Sequence, residues 1–115
     1  MPYLKLTTNI AVVAEQNLQL LGEFSQLLAK QTSKPEMYVM VEIDADKPML
    51  FGSSNAPLAY VECKSIGLSL AQTKPLAHAI CQILKQSLKI SPERVYIEFS
   101  DCRAEYWGWN GSTFA

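Results

Sequence analysis

The sequence predicts an α/β fold made of two consecutive βαβ units, and three observations lead to this prediction. Short runs rich in β-branched and aromatic residues alternate with two longer segments whose apolar residues recur every three or four positions. Prolines and polar residues separate these segments. The second half also resembles the first, since residues 26–30 (QLLAK) match residues 82–86 (QILKQ), and residues 35–39 (PEMYV) match residues 92–97 (PERVYI). Repetition at about half the chain length indicates a duplicated unit.

The first βαβ unit is predicted within residues 2–43. Apolar and polar residues alternate from Pro2 to Asn9, which is typical of a strand. A helix is predicted over residues 15–32, because its apolar residues fall on one stripe and Pro35 prevents the helix from continuing. The run over residues 37–43 is rich in β-branched residues and completes the unit as a second strand.

The second unit follows a polar loop over residues 44–57. Its first strand is predicted over residues 58–66. Thr73-Lys74-Pro75 is a helix start signal, and the apolar stripe that follows predicts a helix to about Lys89. Residues 91–93 form a turn, and residues 95–99 read as the fourth strand.

Residues 1–115 are predicted to form one domain, with a four-stranded mixed sheet that carries both helices on one face. A ferredoxin-like sandwich has the same element order and is the alternative fold. The uncovered sheet face is expected to be apolar, because the strands contain residues such as Leu4, Leu6, Val39, Val61 and Ile97. An exposed apolar face of that size predicts oligomerisation, with a homotrimer as one closed solution.

Composition excludes several classes of protein. A net charge of −1 offers no basic surface for nucleic acid. The longest apolar run, residues 10–14, is too short to span a membrane, and we expect a cytoplasmic protein, with release that needs no signal peptide as an alternative. Cys63, Cys81 and Cys102 lack metal-binding spacing, so we expect small buried hydrophobes and no metal or other cofactor.

The N-terminus carries the main candidate for a catalytic group. An initiator methionine that precedes proline is normally removed, which would leave Pro2 with a free secondary amine. Because this amine enters a strand, burial is expected to lower its pKa below the ordinary α-amino range of about 7.7 to 8.0. An amine that is mostly unprotonated at neutral pH can act as a base.

Five segments in order resemble the macrophage migration inhibitory factor family of the tautomerase superfamily, over essentially the whole chain. They are Pro2, Lys34-Pro35, Ser65-Ile66-Gly67, residues 90–97 (ISPERVYI) and residues 108–115 (GWNGSTFA). The resemblance implies a duplicated βαβ unit assembled as a homotrimer, with sites between subunits. It also implies keto–enol tautomerisation of a small aromatic 2-keto acid, such as phenylpyruvate.

The same resemblance implies roles for particular residues. Pro2 would be the general base, Lys34 would hold a substrate carboxylate or carbonyl oxygen, and the backbone N–H of Ile66 would bind substrate. Tyr96 of a neighbouring subunit would close the pocket. The other aromatic residues expected around the substrate are Tyr3, Tyr38, Trp109 and Phe114.

Three departures from the family pattern change what is expected. Glu98 stands where mammalian members carry asparagine, and an ionised carboxylate beside the substrate would raise the pKa of Pro2. Trp107 replaces a small aliphatic residue and should narrow the pocket mouth. The CxxC of the mammalian cytokine is here residues 58–61 (LAYV), so no dithiol activity is expected.

A ligand for a protein receptor is the alternative function, with the pocket as a relic. The arginine that accompanies an aspartate in the cytokine's proposed receptor-binding loops is Val12 here, although Asp46 remains. Receptor binding is therefore less strongly implied than tautomerase chemistry.

Overall fold

The computed structural model describes all 115 residues, and its core is a sheet with two helices. The elements in chain order are β1 (Tyr3–Thr8), α1 (Ala14–Thr32), β2 (Met40–Asp44), β3 (Ala59–Ile66), α2 (Leu70–Leu88), β4 (Val95–Cys102), β5 (Gly108–Trp109) and β6 (Ser112–Thr113). Single turns of 3-10 helix occupy Glu36–Tyr38, Pro92–Arg94 and Ala104–Tyr106. Neither α-helix is long and apolar enough to cross a membrane.

The strand order confirms two βαβ units in one mixed sheet. The order is β2-β1-β3-β4, with β1 parallel to β2, β3 parallel to β4, and β1 antiparallel to β3. A helix joins the two strands of each parallel pair, as a parallel connection requires. The ferredoxin-like alternative is wrong, because a split βαβ unit would have another strand between its parallel strands, and here those strands are neighbours.

The core lies between one sheet face and both helices, as predicted. Every second residue of β1 and β3 is buried against the helices because side chains alternate across a strand. The fully buried side chains between these layers include Leu4 and Leu6 of β1, Val61 and Cys63 of β3, Leu20, Phe24 and Leu28 of α1, and Leu76, Ile80 and Leu84 of α2. Cys81 and Cys102 are half-buried, so only Cys63 fits the expected buried hydrophobe.

The opposite sheet face is polar, which corrects the prediction of an uncovered apolar face. Leu4, Leu6 and Val61 belong to the core, and Val39 and Ile97 pack against it. The alternate positions that face away from the helices include Tyr3, Lys5, Glu42, Tyr60, Glu62, Lys64 and Glu98. Most apolar residues of each strand therefore face the helices, although Met40 and Tyr96 are exposed on the other face, so burial of an apolar sheet face is only a lesser reason for oligomerisation.

Some element boundaries also differ from prediction. α2 begins at Leu70, because Gln72 Oε1 accepts the Ser69 N–H at 2.8 Å in the manner of a capping box, and Pro75 lies inside the helix. β2 begins at Met40, since residues 36–38 form a 3-10 turn. β4 continues to Cys102, three residues beyond the predicted end, because β3 pairs with it along its full length.

The two helices end in the same way, which supports the duplication. Ser33 and Lys89 cap α1 and α2 in the left-handed region, at φ of 57° and 58°. A proline, a 3-10 turn and a parallel strand follow each cap. In the first unit this connection carries Lys34 to the N-terminal end of β1.

Candidate active site

The chain's N-terminus lies at one end of the sheet and is held there by backbone hydrogen bonds. Pro2 is fully buried. Its carbonyl accepts the N–H of Met40 at 3.0 Å, and the amine of Met1 donates to the carbonyl of Tyr38 at 3.1 Å. The start of β1 is therefore fixed against the 3-10 turn and β2, unlike most chain termini.

A cavity of about 380 Å³ opens beside Pro2. Nine of its twelve lining residues are hydrophobic; the lining comprises Met1, Pro2, Tyr3, Met37, Tyr38, Val39, Met40, Lys64, Trp107, Gly108, Trp109 and Phe114. The cavity thus brings together six of the ten residues predicted for the site: Pro2, Tyr3, Tyr38, Trp107, Trp109 and Phe114. An apolar cavity with few polar groups suits a small aromatic ligand.

Three aromatic rings form one wall of this cavity. The Trp109 and Phe114 rings stack with centroids 5.5 Å apart and an interplanar angle of 12°. The Tyr38 ring meets both edge-on, at centroid distances of 5.4 and 5.9 Å. The C-terminal segment therefore docks on its own chain, and the packed rings leave little freedom for the wall to rearrange.

The β5–β6 hairpin, which sequence reasoning missed, sets the position of Trp109. Asn110 and Gly111 occupy its turn with φ of 52° and 75°. An Asn-Gly pair favours such a two-residue turn because both positions need positive φ. The dipeptide is visible in the sequence and was a usable signal for the hairpin.

The electrostatics at the N-terminus favour a neutral amine. Burial lowers the pKa of the Met1 amine, and the positive charge of Lys34 lowers it further. Lys34 does not line the cavity, but its charge acts on the terminus from the connection after α1. An amine in this position is easier to deprotonate than a solvated one.

Lys64 is a second cation at the site, and sequence reasoning did not identify it. Its Cα is paired with that of Tyr3, and its side chain lines the cavity. Its ammonium lies 3.8 Å from Glu62, at the outer limit of an ion pair, and its side chain remains 41% exposed. Such a loosely held lysine remains available to an anionic ligand. That Lys64 lies close to the N-terminus follows only from the register of β1 on β3.

Tyr3 lines the cavity, and its hydroxyl group is bound to a carboxylate. Tyr3 Oη donates to Glu42 Oε1 at 2.7 Å. This hydrogen bond, more than burial, raises the pKa of Tyr3 to about 12. The hydroxyl therefore stays protonated through the neutral range and cannot serve as a base there.

Ile66 lies at the Pro2 end of the sheet, outside the cavity lining. Its Cα pairs with Cys102 on β4, whereas β1 pairs with β3 only as far as Lys64. No residue of β1 therefore lies opposite Ile66. This leaves the backbone at the end of β3 next to Pro2 without a strand neighbour on that side.

Tyr96 and Glu98 lie far from Pro2 of their own chain. Tyr96 pairs with Tyr60, which pairs with Thr7, five residues along β1 from Pro2. At about 3.3 Å per residue this separation is roughly 16 Å. Glu98 is exposed on the polar sheet face and accepts the Tyr60 hydroxyl at 2.8 Å, which raises the pKa of Tyr60. The pocket of one protomer does not contain these two residues.

Comparison with known proteins identifies the family. The model of the family "Macrophage migration inhibitory factor (MIF)" matches residues 1–115. The macrophage migration inhibitory factor of Mus musculus is 41% identical over 118 residues, which cover 100% of both chains. The crystal structure of a homologue from Prochlorococcus marinus has a TM-score of 0.93 and 40% identity, covering 98% of this chain and 99% of that chain. The factor from Trichinella spiralis has a TM-score of 0.88 and 32% identity, covering 97% and 99%. The chain belongs to the macrophage migration inhibitory factor family.

Proposed function

We propose that this protein is a keto–enol tautomerase for small aromatic 2-keto acids such as phenylpyruvate, with the Pro2 amine, freed by removal of Met1, as its catalytic base. One observation carries the proposal. Pro2 adjoins an aromatic-walled cavity, and burial and the charge of Lys34 lower the pKa of the Met1 amine, one residue before it. A general base needs a pKa near the operating pH, because a protonated amine has no free electron pair with which to accept a proton.

The reaction requires two proton transfers and no net change in composition. The neutral Pro2 nitrogen takes a proton from the carbon next to the substrate carbonyl. The electron pair of the broken C–H bond forms the carbon–carbon double bond, and the carbonyl π electrons move onto oxygen. The protonated amine then returns the proton to that oxygen, which yields the enol, and the reverse sequence yields the ketone.

In this proposal, a positive charge and a backbone N–H donor stabilise the negative charge that develops on the substrate oxygen. Lys34 binds the carboxylate or the carbonyl oxygen of the substrate, where a compact ammonium is effective. The backbone N–H of Ile66 is the additional donor. The unpaired end of β3 beside Pro2 supports this role, because the ladder with β1 stops before Ile66.

The aromatic wall supports the choice of substrate. A cavity of about 380 Å³ accommodates one ring with a short acid side chain. The rings of Tyr38, Trp109 and Phe114 offer flat surfaces for stacking. Their apolar bulk also keeps water from the Pro2 amine.

We also propose that the working form is a homotrimer in which a neighbouring protomer completes each site. Family membership supports this assembly. Tyr96 is 64% exposed although it is large and aromatic, and it is too distant to reach its own Pro2. In a trimer, Tyr96 and Glu98 of one protomer would close the pocket of the next.

Turnover of hydroxyphenylpyruvate by Met1-free protein and by Pro2→Gly tests the mechanism. We expect the variant to lose about 10²–10⁴-fold in kcat, the usual contribution of a positioned acid–base group. Pro48→Gly changes a proline on an exposed loop and is the matched control. Intact mass must first show that Met1 is absent from every sample.

Equal rates for the wild type and Pro2→Gly would contradict the catalytic role of Pro2. Absence of turnover by either protein would instead favour the alternative function as a ligand for a protein receptor. A binding assay against the candidate receptor with Pro2→Gly separates that alternative from catalysis, because receptor binding does not need the Pro2 amine.

A further inference from the structure

Arg94 makes an unusually dense set of contacts with a single loop. Its guanidinium donates to the carbonyl oxygens of Phe51 at 2.7 Å, Ser54 at 3.0 Å and Ala56 at 2.9 Å, while Nε donates to Pro57 at 3.4 Å. The planar guanidinium suits this task because its donors are held in a rigid fork. Arg94 thus joins the start of β4 to residues 51–57, which we name the clamped loop.

The clamped loop carries a ring that packs on Tyr96. The Phe51 and Tyr96 ring centroids are 4.6 Å apart, and the Arg94 guanidinium carbon lies 5.2 Å from the Phe51 centroid. The loop turns tightly at Gly52 and Ser53, where φ is 58° and 64°. Phe51 is therefore fixed from two sides, by the turn of its own backbone and by Arg94.

We propose that Arg94 is a positioning residue for catalysis: through the clamped loop and Phe51 it orients the Tyr96 ring that closes the Pro2 pocket of a neighbouring protomer. This inference rests on the proposed function and trimer. Phe51 supplies the aromatic ring that packs on Tyr96 within its own chain. An exposed ring that is held in place before assembly loses less conformational entropy when a substrate packs against it.

Loss of the clamp should weaken substrate binding while sparing the chemical step. In Arg94→Met we expect KM for hydroxyphenylpyruvate to rise about tenfold, because the cost of ordering the Tyr96 ring then falls on binding. We expect kcat to stay within about twofold and the acidic limb of the pH profile to keep its pKa, because Pro2 is untouched. Arg94→Lys keeps the positive charge but loses the planar set of donors, so its KM should be almost as high as that of Arg94→Met.

Arg103→Met is the matched control. Arg103 also lies over an aromatic ring, that of Tyr106 at 5.2 Å, and bonds a surface carboxylate, Glu105, at 2.9 Å, but it contacts neither the clamped loop nor Tyr96. Its replacement should leave KM unchanged. Phe51→Leu is the second test variant, because it keeps the carbonyls that Arg94 binds and removes only the ring. It should raise KM in the same direction.

Coupling to Tyr96 distinguishes positioning from a general loss of structure. In a Tyr96→Ala background, Arg94→Met should have no further effect on KM, since no ring remains to be oriented. An equal effect in both backgrounds would overturn the proposal. So would a fall in kcat at unchanged KM, or an effect that appears only where sedimentation shows loss of assembly.

A binding measurement keeps this test independent of turnover. Pro2→Gly protein should bind hydroxyphenylpyruvate with little conversion, and quenching of the two tryptophans, Trp107 and Trp109, which both line the cavity, reports the dissociation constant. If wild-type protein shows no turnover, the proposed function fails, while a tenfold weaker dissociation constant for the Arg94→Met, Pro2→Gly double variant still supports Arg94. An unchanged dissociation constant overturns the Arg94 proposal whatever the turnover.

Discussion

At the scale of single residues, burial and one nearby cation act on the N-terminal amine in the same direction. Burial disfavours the charged amine because water no longer solvates it, and Lys34 repels its proton. In the proposed mechanism, the lysine that binds the anionic substrate therefore also favours the unprotonated form of the base. Lys64, which lines the cavity, adds a second positive charge beside it.

Replacement of Lys34 should show both effects in one experiment. In Met1-free protein Lys34→Met should raise the pKa of the Pro2 amine, because it removes the positive charge that lowers the pKa of the Met1 amine beside it. The base works unprotonated, so activity is lost as pH falls through its pKa, and a higher pKa moves that loss to higher pH. The acidic limb of kcat/KM against pH measures the shift, and KM for the anionic substrate should rise as well.

Lys30→Met is the control for this prediction. Lys30 is an exposed lysine in the last turn of α1, and it does not contribute to the lowered pKa of the terminus. Its loss should leave the acidic limb in place. An identical shift in both variants would show that only net charge, and not the position of Lys34, affects the amine.

At the scale of elements, the site is built from strand ends, a helix connection and a hairpin. β1 brings Pro2, the connection after α1 brings Lys34, and β5 brings Trp109. The hairpin depends on backbone conformation more than on contacts, since a Cβ added at Gly111 would meet no heavy atom within 4 Å. Its turn nonetheless requires a φ of 75°, which an ordinary residue adopts only at a cost.

Two glycine substitutions should therefore change stability in opposite directions. Gly111→Ala should lower the free energy of unfolding by about 1 kcal/mol and weaken the near-UV circular dichroism of the Trp109–Phe114 stack. Gly22→Ala, in the middle of α1 with equally open space, should raise it by about 0.5–1 kcal/mol. Urea unfolding measures both. A destabilised Gly22→Ala would contradict the assignment to backbone entropy.

Sequence patterns predicted these elements better than they predicted how the elements meet. Alternation and three-to-four spacing predicted all four main strands and both helices, with errors at the ends of β2, α2 and β4. Those errors occurred where a 3-10 turn, a capping residue or strand pairing decides the boundary. Lys64 was missed because the register of β1 on β3 depends on long-range packing that no local pattern records.

At the scale of the whole molecule, the polar sheet face changes the argument for assembly. The prediction assumed an apolar face that must be covered, but the sheet presents tyrosines, lysines and glutamates there. The structural argument for a trimer is now the exposed Tyr96 and its distance from its own Pro2. In this proposal the protein assembles mainly because a neighbouring protomer completes each site. Burial of exposed apolar surface is a lesser reason for assembly.

Mixed assemblies should reveal sites shared between protomers. Pro2→Gly protein lacks the base, and Tyr96→Ala protein lacks the closing ring, so each should show at most about a tenth of wild-type kcat/KM. When the two are unfolded together and refolded in equal amounts, roughly a quarter of the sites should combine an intact Pro2 with an intact Tyr96. The rate at low substrate concentration measures the recovery.

The control for this experiment mixes the two variants after separate refolding. Trimers that do not exchange subunits should then show only the average of the two parent rates. Absence of recovery in the co-refolded sample, with trimers verified by sedimentation, would mean that Pro2 and Tyr96 do not share a site.

The anchored N-terminus also bears on how the mature protein is made. Met1 is tied to the carbonyl of Tyr38, and Pro2 is buried below it by the pairing of β1 with β2. An aminopeptidase needs an extended and accessible chain end, and the folded domain does not provide one. We therefore expect the methionine to be removed while the nascent chain is still emerging from the ribosome. If folding were faster than this removal, the proposed Pro2 base would stay blocked by Met1.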